Sequence, residues 1–401
     1  MLPVDLPGTV RDALLAPLVD HHCNGVRRDD LGRAGFELLI SGSGSPAPPG
    51  TTHFDTPLGV AVRRWCGPLL DLEPHAPPAV YLARRTELGA AEVNRRMLAG
   101  AGVVAFLVDS AAQDGELLGA AEMGRLGGAA ADELVRVEHI ERDVAASAQL
   151  AVDYLDDLGE ELTARAARAV ALKTVAGALC GLDLEAGRPA RGAVIAAANR
   201  RLADPKAPLT DPVLLHYLVW SAVDVAKERN LPVQFHGGFA GLAGPGVFGG
   251  PGASSAAGGP GGPLGEPHRA DPARLSAFAA ALQPLGVPMI LLHCYPFHRQ
   301  AAHLAATFPH VYVDVGFAPQ HTAAATRVID ELLELAPFHK LLYGSGACGL
   351  AETAYLAALA HRRALAVALA ARIGTGEWSA ADAARVAHMI GSANARRIYR
   401  L

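Results

Sequence analysis

The sequence predicts an α/β protein of the (β/α)8 class, a TIM barrel, with a helical lobe inserted after the first strand. Three observations favour this fold class. The chain has 401 residues, which suits one enlarged barrel or two ordinary domains. Short apolar runs alternate with longer amphipathic stretches, and most of the apolar runs end in a polar residue. Together these features predict a single barrel domain over residues 1–401.

The apolar runs predict strands because they are short and rich in β-branched residues. They are Ala16–Asp20, Val103–Asp109, Ala169–Leu172, Val233–His236, Met289–His293, Val311–Val315 and Leu341–Tyr343. The stretches between most of them, such as Glu87–Ala99 and Val213–Arg229, are rich in alanine, leucine and arginine and predict amphipathic helices. This alternation is typical of repeated βα units around a parallel sheet.

Polar or ionisable residues close most of these runs or follow them directly. They are Asp20–His22, Asp109, Lys173, His236, His293, Asp314 and Ser345. In a barrel the carboxyl ends of the strands face the active site, so chemistry is expected there. One such residue would be explained as a strand end exposed to water. Seven polar segments at equivalent strand ends indicate a functional site, and a doubly wound sheet would not require so many.

Two regions interrupt the alternation. Residues 30–78 contain clusters of glycine and proline between short apolar segments, which predict an inserted helical lobe able to cover the barrel mouth. Residues 237–265 are so rich in glycine and proline that we predict a flexible loop. The loop directly follows His236, so it is either an active-site lid or a tolerated surface insertion, and the sequence leaves both open.

The composition disfavours several classes of protein. With 35 Lys and Arg against 40 Asp and Glu, the formal net charge is −5, so nucleic acid is not an expected partner. The apolar runs are far shorter than the roughly 20 residues of a membrane span, and we expect neither a span nor a signal peptide. The five cysteines are scattered without a CxxC motif, which predicts a cytoplasmic protein without a disulfide framework.

Histidine is the residue type that points most directly to chemistry. His22 and Asn24 lie two residues apart on the first predicted strand, so they share one face. An HxH pair at this position would aim two imidazoles at one metal ion. Asn24 offers an amide oxygen instead, which is a much weaker zinc ligand. These residues alone leave two interpretations open. His22 and Asn24 are either half of a metal site or a pair of side chains that form hydrogen bonds at the end of a strand.

Longer segments carry a family resemblance. QFHGGF around His236, LLHCYPFHRQ around His293 and PFHKLLYGSGACGLAET near the C-terminus resemble the amidohydrolase superfamily, in particular the amidohydrolase-2 branch that accompanies nodulin-type and glutamine-synthetase-like proteins. The resemblance runs from Val19 to the last residues of the chain. It implies a distorted (β/α)8 barrel whose strand ends hold one or two divalent metal ions.

The resemblance also implies which residues bind the metal. His22 and His236 match family ligands, whereas Asn24 stands in the place of an imidazole. Gly346 stands in the place of a ligating aspartate, which in the family also moves the proton of the attacking water. Either His22, His236 and His293 hold the metal as a three-histidine set, or His293 contacts the reacting oxygen and only two ligands remain. We therefore expect at most one divalent metal, zinc before others, bound weakly or not at all.

Other residues complete the candidate site. His293 matches a residue that in related enzymes contacts the reacting oxygen, and with Lys173 and Asp314 it forms the predicted catalytic set. The predicted substrate contacts are His298, His321 and Glu352. Lys173 matches a family lysine and has three open roles: a substrate contact, a carboxylated ligand bridging two metals, or one half of a salt bridge.

Three functions follow from this set. The first is metal-assisted hydrolysis of a C–N bond, of amide or γ-glutamyl type, in a small molecule at the barrel mouth, with an atypical metal site and with His293 stabilising the developing oxyanion. The second is a metal-free lyase or decarboxylase reaction that uses His293, Lys173 and Asp314 as acid and base. The third is a catalytically decayed barrel that binds a small molecule or a partner protein. A homo-oligomer and a glutamine-synthetase-like ligase are the candidate protein partners.

Overall fold

The computed structural model describes residues 2–41, 45–109, 116–238, 267–314 and 325–401. The predicted loop 237–265, apart from Gly237 and Gly238, lies outside these ranges, as do His321 and residues 42–44 of the predicted lobe. The predictions about them stay predictions.

Eight strands form one sheet in sequential order. They are β1 (Leu18–Asn24), β2 (Val103–Asp109), β3 (Ala130–Arg136), β4 (Ala171–Thr174), β5 (Val233–His236), β6 (Met289–Leu292), β7 (Val311–Asp314) and β8 (Leu341–Leu342). Every strand pairing for which a register is described is parallel. This order, with helices between the strands, defines the (β/α)8 barrel class, and the predicted fold class is confirmed.

The α-helices precede, separate and follow the strands. They are α1 (Gly8–Leu15), α2 (Arg33–Leu39), α3 (Pro57–Ala61), α4 (Pro78–Leu88), α5 (Ala90–Ala101), α6 (Ala120–Gly127), α7 (Val137–Ser147), α8 (Ala151–Ala166), α9 (Ala176–Leu179), α10 (Arg191–Ala203), α11 (Pro212–Arg229), α12 (Ser276–Leu282), α13 (His298–Thr307), α14 (Ala325–Leu335), α15 (Ala351–Gly374), α16 (Ala380–His388) and α17 (Asn394–Tyr399). Helix α15 is long and apolar enough to cross a membrane, but 56% of its most apolar window is buried, as expected for a core helix.

The insertion after β1 is helical, as predicted. Between β1 and α4 the chain forms α2, α3 and short turns of 3-10 and π-helix. Helix α3 begins where its sequence predicts, because the Thr56 hydroxyl accepts a hydrogen bond from the Gly59 N–H at 3.0 Å and Pro57 follows the cap. The rings of Phe36 and Phe54 stack with centroids 5.6 Å apart, within one apolar core that includes residues of β1 and β2.

No predicted run covers β3, and this omission is an error of the sequence-based expectation. The sequence of β3, AADELVR, contains two acidic residues, and its first four residues are exposed or half-buried. Only Leu134, Val135 and Arg136 are buried. A strand that is buried over part of its length lacks the continuous apolar run by which the other strands of a parallel sheet are found.

The chain divides into two compact units. The first unit consists of the described residues of 1–132 and 314–401, with strands β1, β2 and β8. The second consists of the described residues of 133–240 and 251–313, with β4, β5, β6 and most of β3 and β7. In the second unit, the ring of Phe278 on α12 lies 5.9 Å from that of Phe235 on β5 and 5.2 Å from that of Trp220 on α11.

Candidate active site

Strand β1 of the first unit carries a bulge at its histidines. Asp20 pairs with Phe106 of β2 and Cys23 pairs with Val108, so three steps along β1 oppose two steps along β2. An extra residue of this kind re-aims side chains and is frequent beside active sites. The bulge falls on His21 and His22, so simple alternation along the strand does not hold through these two residues.

The segment after β8 runs along the end of β1. The Gly346 N–H donates to the His22 carbonyl at 2.9 Å, and the Asn24 N–H donates to the Ala347 carbonyl at 2.7 Å. Gly346 has a φ of 59°, in the left-handed region. The structure thus places Gly346, which matches the family aspartate, beside the main chain of His22 and Asn24.

The side chain of Asn24 is only half satisfied. Its Nδ2 donates to the Ala347 carbonyl at 3.3 Å, while its buried Oδ1 accepts no hydrogen bond from the described residues. A buried acceptor without a donor costs free energy. An amide oxygen in this position is able to accept from a ligand or to contact a cation, which is consistent with a place in a binding site.

The donors present do not fit a catalytic zinc site. Such a site has three protein ligands from imidazole, thiolate or carboxylate groups, whereas His22 is accompanied on β1 by an amide and across from it by Gly346, which has no side chain. Within the described part of the chain, no three His, Cys, Asp or Glu side chains lie close enough to hold a metal ion. The weakly bound zinc that the sequence predicts stays a prediction, and no catalytic step is derived through it.

Asp314 on β7 belongs to a buried polar network of the first unit. Its Oδ2 lies 3.6 Å from Nε2 of His21, and Nδ1 of His21 is 2.9 Å from the hydroxyl of Tyr399 on α17. Gly344 leaves room for this pair, because a Cβ there would lie 3.0 Å from the His21 ring and 3.2 Å from Asp314. The sequence predicts Asp314 as a catalytic residue, whereas it includes His21 only among the polar strand ends and gives it no role, since no motif surrounds it.

Asp20 is a second buried carboxyl in this network. Burial raises its pKa to about 7, although hydrogen bonds from the Ser345 hydroxyl and from the main chain of Ser345 and His22 act in the opposite direction. The nearby charge of Asp314 raises the pKa further. A carboxyl with this pKa is able to hold or release a proton near neutral pH.

Glu352, a predicted substrate contact, lies at the start of α15 with no exposed surface. Its Oε1 accepts hydrogen bonds from Nε of Arg85 at 2.9 Å and from the Tyr81 hydroxyl at 3.0 Å. This carboxylate therefore has internal partners on α4, and a substrate would have to reach it inside the core. Its role as a substrate contact stays a prediction.

The second unit presents a row of polar side chains on one face of its sheet. Phe235 faces the helices, because its ring contacts Phe278 of α12. Gln234 and His236 occupy the alternate positions of β5, so they point to the opposite face. Lys173 pairs with Gln234 and Arg136 pairs with Lys173, which puts Arg136, Lys173 and Gln234 in one row. The three are 3%, 0% and 0% exposed.

His236 and His293 come together at the end of this face. Their ring centroids are 5.5 Å apart, with the planes at 65°. His293 follows the last residue of β6 and has a φ of 52°, a left-handed conformation that costs free energy for a side chain and occurs at functional sites. The structure thus brings together two histidines that the sequence assigns to the site.

The remaining predicted residue of the second unit is His298. It is the first residue of α13, it is buried, and its ring stacks on Tyr295 with centroids 5.9 Å apart and planes at 9°. Arg136 is a residue that the sequence misses, because it closes the strand that no predicted run covers. The available signal is the apolar pair Leu134 and Val135 before it and the start of α7 after it.

Histidine, lysine and aspartate at the carboxyl ends of successive parallel strands are typical of enzymes built on a (β/α)8 barrel. A family model of amidohydrolases, Amidohydro_2, matches residues 99–401. The chain belongs to this family, and the predicted family resemblance is confirmed.

Comparison with solved structures shows the fold. The chain is similar to a protein assigned as a metal-dependent hydrolase from Lactobacillus casei ATCC 334, with a TM-score of 0.80 and 20% sequence identity over 99% of this chain and 98% of that one. A glucuronate isomerase from Caulobacter crescentus has a TM-score of 0.65 and 14% identity, over 100% and 95% of the two chains. For a uronate isomerase from Thermotoga maritima the values are 0.63 and 12%, over 100% of both chains.

A curated relative matches part of the sequence. The protein fluG of Emericella nidulans is 32% identical over 136 residues, which are 33% of this chain. The match spans 16% of that protein's length, so it does not transfer the activity of the whole relative.

Proposed function

We propose that this member of the family hydrolyses a C–N bond, of amide or γ-glutamyl type, in a small molecule. The observation that carries the proposal is the pair formed by His236 and His293, whose rings lie 5.5 Å apart at the ends of neighbouring strands. The left-handed backbone of His293 supports a functional role, because the fold maintains it against its cost.

In the proposed reaction, water adds to the carbonyl carbon, the C–N bond breaks and the amine leaves with a proton. His293 donates a ring N–H to the carbonyl oxygen as negative charge develops on it. His236 accepts the proton of the attacking water and returns it to the leaving amine. Lys173 holds the substrate, and no step is assigned to Asn24 or Gly346.

A second candidate is a metal-free lyase or decarboxylase reaction. It is favoured by the buried network of the first unit, in which Asp20, with a pKa of about 7, lies near Asp314 and its partner His21. These groups supply acid and base without a metal ion. For this alternative the sequence predicts His293, Lys173 and Asp314 as the acid and base groups.

A cytoplasmic location, a homo-oligomer and a glutamine-synthetase-like ligase partner are also part of the proposal. The scattered cysteines support the location, and the family resemblance supports the ligase partner. The second candidate and the decayed barrel remain the alternatives against which hydrolysis is tested.

The test is an assay of ammonia or amine release from glutamine, asparagine and a set of γ-glutamyl amides. We expect hydrolysis of at least one amide, and we expect His293→Ala to lower kcat by roughly 10²- to 10³-fold because the oxyanion loses its donor. The same change at exposed His388 on α16 is the matched control and is expected to leave kcat unchanged.

Metal content is measured on the same preparations, and the assay is repeated with a chelator. If the amides stay intact and carboxylic acids instead release CO₂ or elimination products, the second candidate is supported and hydrolysis is contradicted. Equal kcat in the native protein and His293→Ala would contradict the role of His293.

A further inference from the structure

We propose that the second unit binds a substrate carboxylate between Arg136 and Lys173, so that the substrate class is a small acid that also carries the hydrolysable amide. The reaction in this statement rests on the proposed function. The carboxylate site itself rests on the register of β3, β4 and β5.

The two cations are neighbours by register. Arg136 is the main-chain partner of Lys173 across β3 and β4, and Lys173 is the partner of Gln234 across β4 and β5. Partners on adjacent parallel strands point to the same face and lie about 5 Å apart. Since Gln234 lies on the face turned away from α12, Arg136 and Lys173 share that face with it.

Two buried cations side by side repel each other and are costly to desolvate unless anions accompany them. Both side chains have partners in the folded chain, and the charge of Arg136 lowers the pKa of Glu138, although burial of that carboxyl raises it more. A guanidinium has five N–H donors and an ammonium has three. The pair is therefore able to keep internal partners and still donate to a carboxylate, which a guanidinium binds in bidentate fashion.

The row lies at a useful distance from the histidines. His236 is two residues beyond Gln234 on β5, which is about 7 Å along the strand. A carboxylate at Arg136 and Lys173 therefore places a carbonyl near His236 and His293 if the two groups are separated by a short aliphatic chain, as in a five-carbon acid amide. A neutral amide without the carboxylate has no negatively charged group for Arg136 and Lys173 to bind.

The experiment is a calorimetric titration with glutarate, compared with its uncharged counterpart glutaramide, in the presence of a chelator. We expect the native protein to bind glutarate at least about tenfold more tightly than glutaramide. Arg136→Met and Lys173→Met are each expected to weaken glutarate binding at least about tenfold, because each removes charged hydrogen bonds to the carboxylate.

Arg201→Met is the matched control. Arg201 is also buried and bound to a carboxylate, with Nε 2.7 Å from Oε1 of Glu141, but it lies on α10 and its partner lies on α7. This variant loses a buried ion pair away from the row and is expected to bind glutarate as the native protein does. If Arg136→Met does not fold, Arg136→Lys keeps the charge without the guanidinium fork and is expected to weaken binding severalfold.

Undiminished glutarate affinity in folded Arg136→Lys and Lys173→Met, no binding of glutarate by the native protein, or tighter binding of inorganic phosphate than of glutarate would each overturn the proposal. Its failure is distinct from failure of the proposed function. If the protein binds glutarate but hydrolyses no amide, the carboxylate site is supported and the proposed function is contradicted. If it hydrolyses neutral amides but does not bind glutarate, the proposed function is supported and the carboxylate site is contradicted.

Discussion

The left-handed backbone of His293 depends on a glycine in the segment after β5. A Cβ on Gly238 would lie 2.3 Å from the His293 carbonyl oxygen and 2.6 Å from that of Tyr295. A Cβ does not come this close to a carbonyl oxygen, so the two chain segments approach each other only because position 238 has no side chain. Gly238 thereby holds the main chain that carries His293 beside β5, where His236 lies.

We predict that Gly238→Ala lowers the free energy of unfolding by roughly 2 kcal/mol more than Gly286→Ala does. The two glycines have φ values of 67° and 69°, so alanine meets the same left-handed cost at both. Nothing lies within 4 Å of a Cβ built on Gly286, which makes it the matched control. Urea unfolding followed by circular dichroism measures both; equal losses would show that the His293 segment moves aside without cost.

At the scale of single elements, β1 and the segment after β8 decide which chemistry the first unit offers. Their main chains are joined through His22, Asn24, Gly346 and Ala347, so the two substituted family positions are neighbours. Local sequence is enough to identify both substitutions. The bulge of β1 is not evident from sequence, because it depends on how β1 pairs with β2.

We predict that Asn24→His combined with Gly346→Asp raises zinc content toward one ion per chain, whereas the native protein carries much less. With His22, the two changes give three donors of the kind that zinc prefers. Aspartate is among the residues that best tolerate the left-handed φ of position 346. The control is Asn24→His with Gly346→Ala, measured by elemental analysis. Equal zinc in the two double variants would show that position 346 does not face the metal.

The elements themselves were predictable to different degrees. Strands β2 and β5 have the predicted bounds, because Val103–Asp109 and Val233–His236 are compact apolar runs closed by a polar residue. Strand β3 was missed because its exposed, acidic first half hides the buried second half. The omission also concealed Arg136 and with it the row that Arg136 forms with Lys173.

At the scale of the whole molecule, buried ionisable groups make stability depend on pH. His361 on α15 is 2% exposed, and its ring centroid lies 4.8 Å from that of Tyr343. Burial, with the charge of Arg362 beside it, lowers the pKa of His361 from 6.5 to about 3. The unfolded chain takes up this proton near pH 6.5 and the folded chain only near pH 3. The stability that the neutral His361 ring contributes is therefore fully present above pH 6.5 and is lost as the pH falls toward 3.

The free energy of unfolding of the native protein is expected to fall between pH 8 and pH 4.5. We predict that this fall is about 3 kcal/mol smaller in His361→Met. Methionine has no proton to gain and fills an apolar site. The measurement is urea unfolding at both pH values, with His388→Met, an exposed position on α16, as the control. An unchanged pH dependence in His361→Met would mean that other groups cause the acid loss.

The sequence by itself determined the class of fold, the family, most of the strands and the two missing ligands at Asn24 and Gly346. These are local properties, because strand runs, their polar ends and family motifs are each contained in a short stretch of chain. The tertiary structure decided the bulge of β1, the left-handed backbone of His293, the internal partners of Glu352 and the row of Arg136 and Lys173. Each of these depends on register or close packing between segments far apart in the chain, where the cost of a clash or of an unpaired buried charge selects one arrangement.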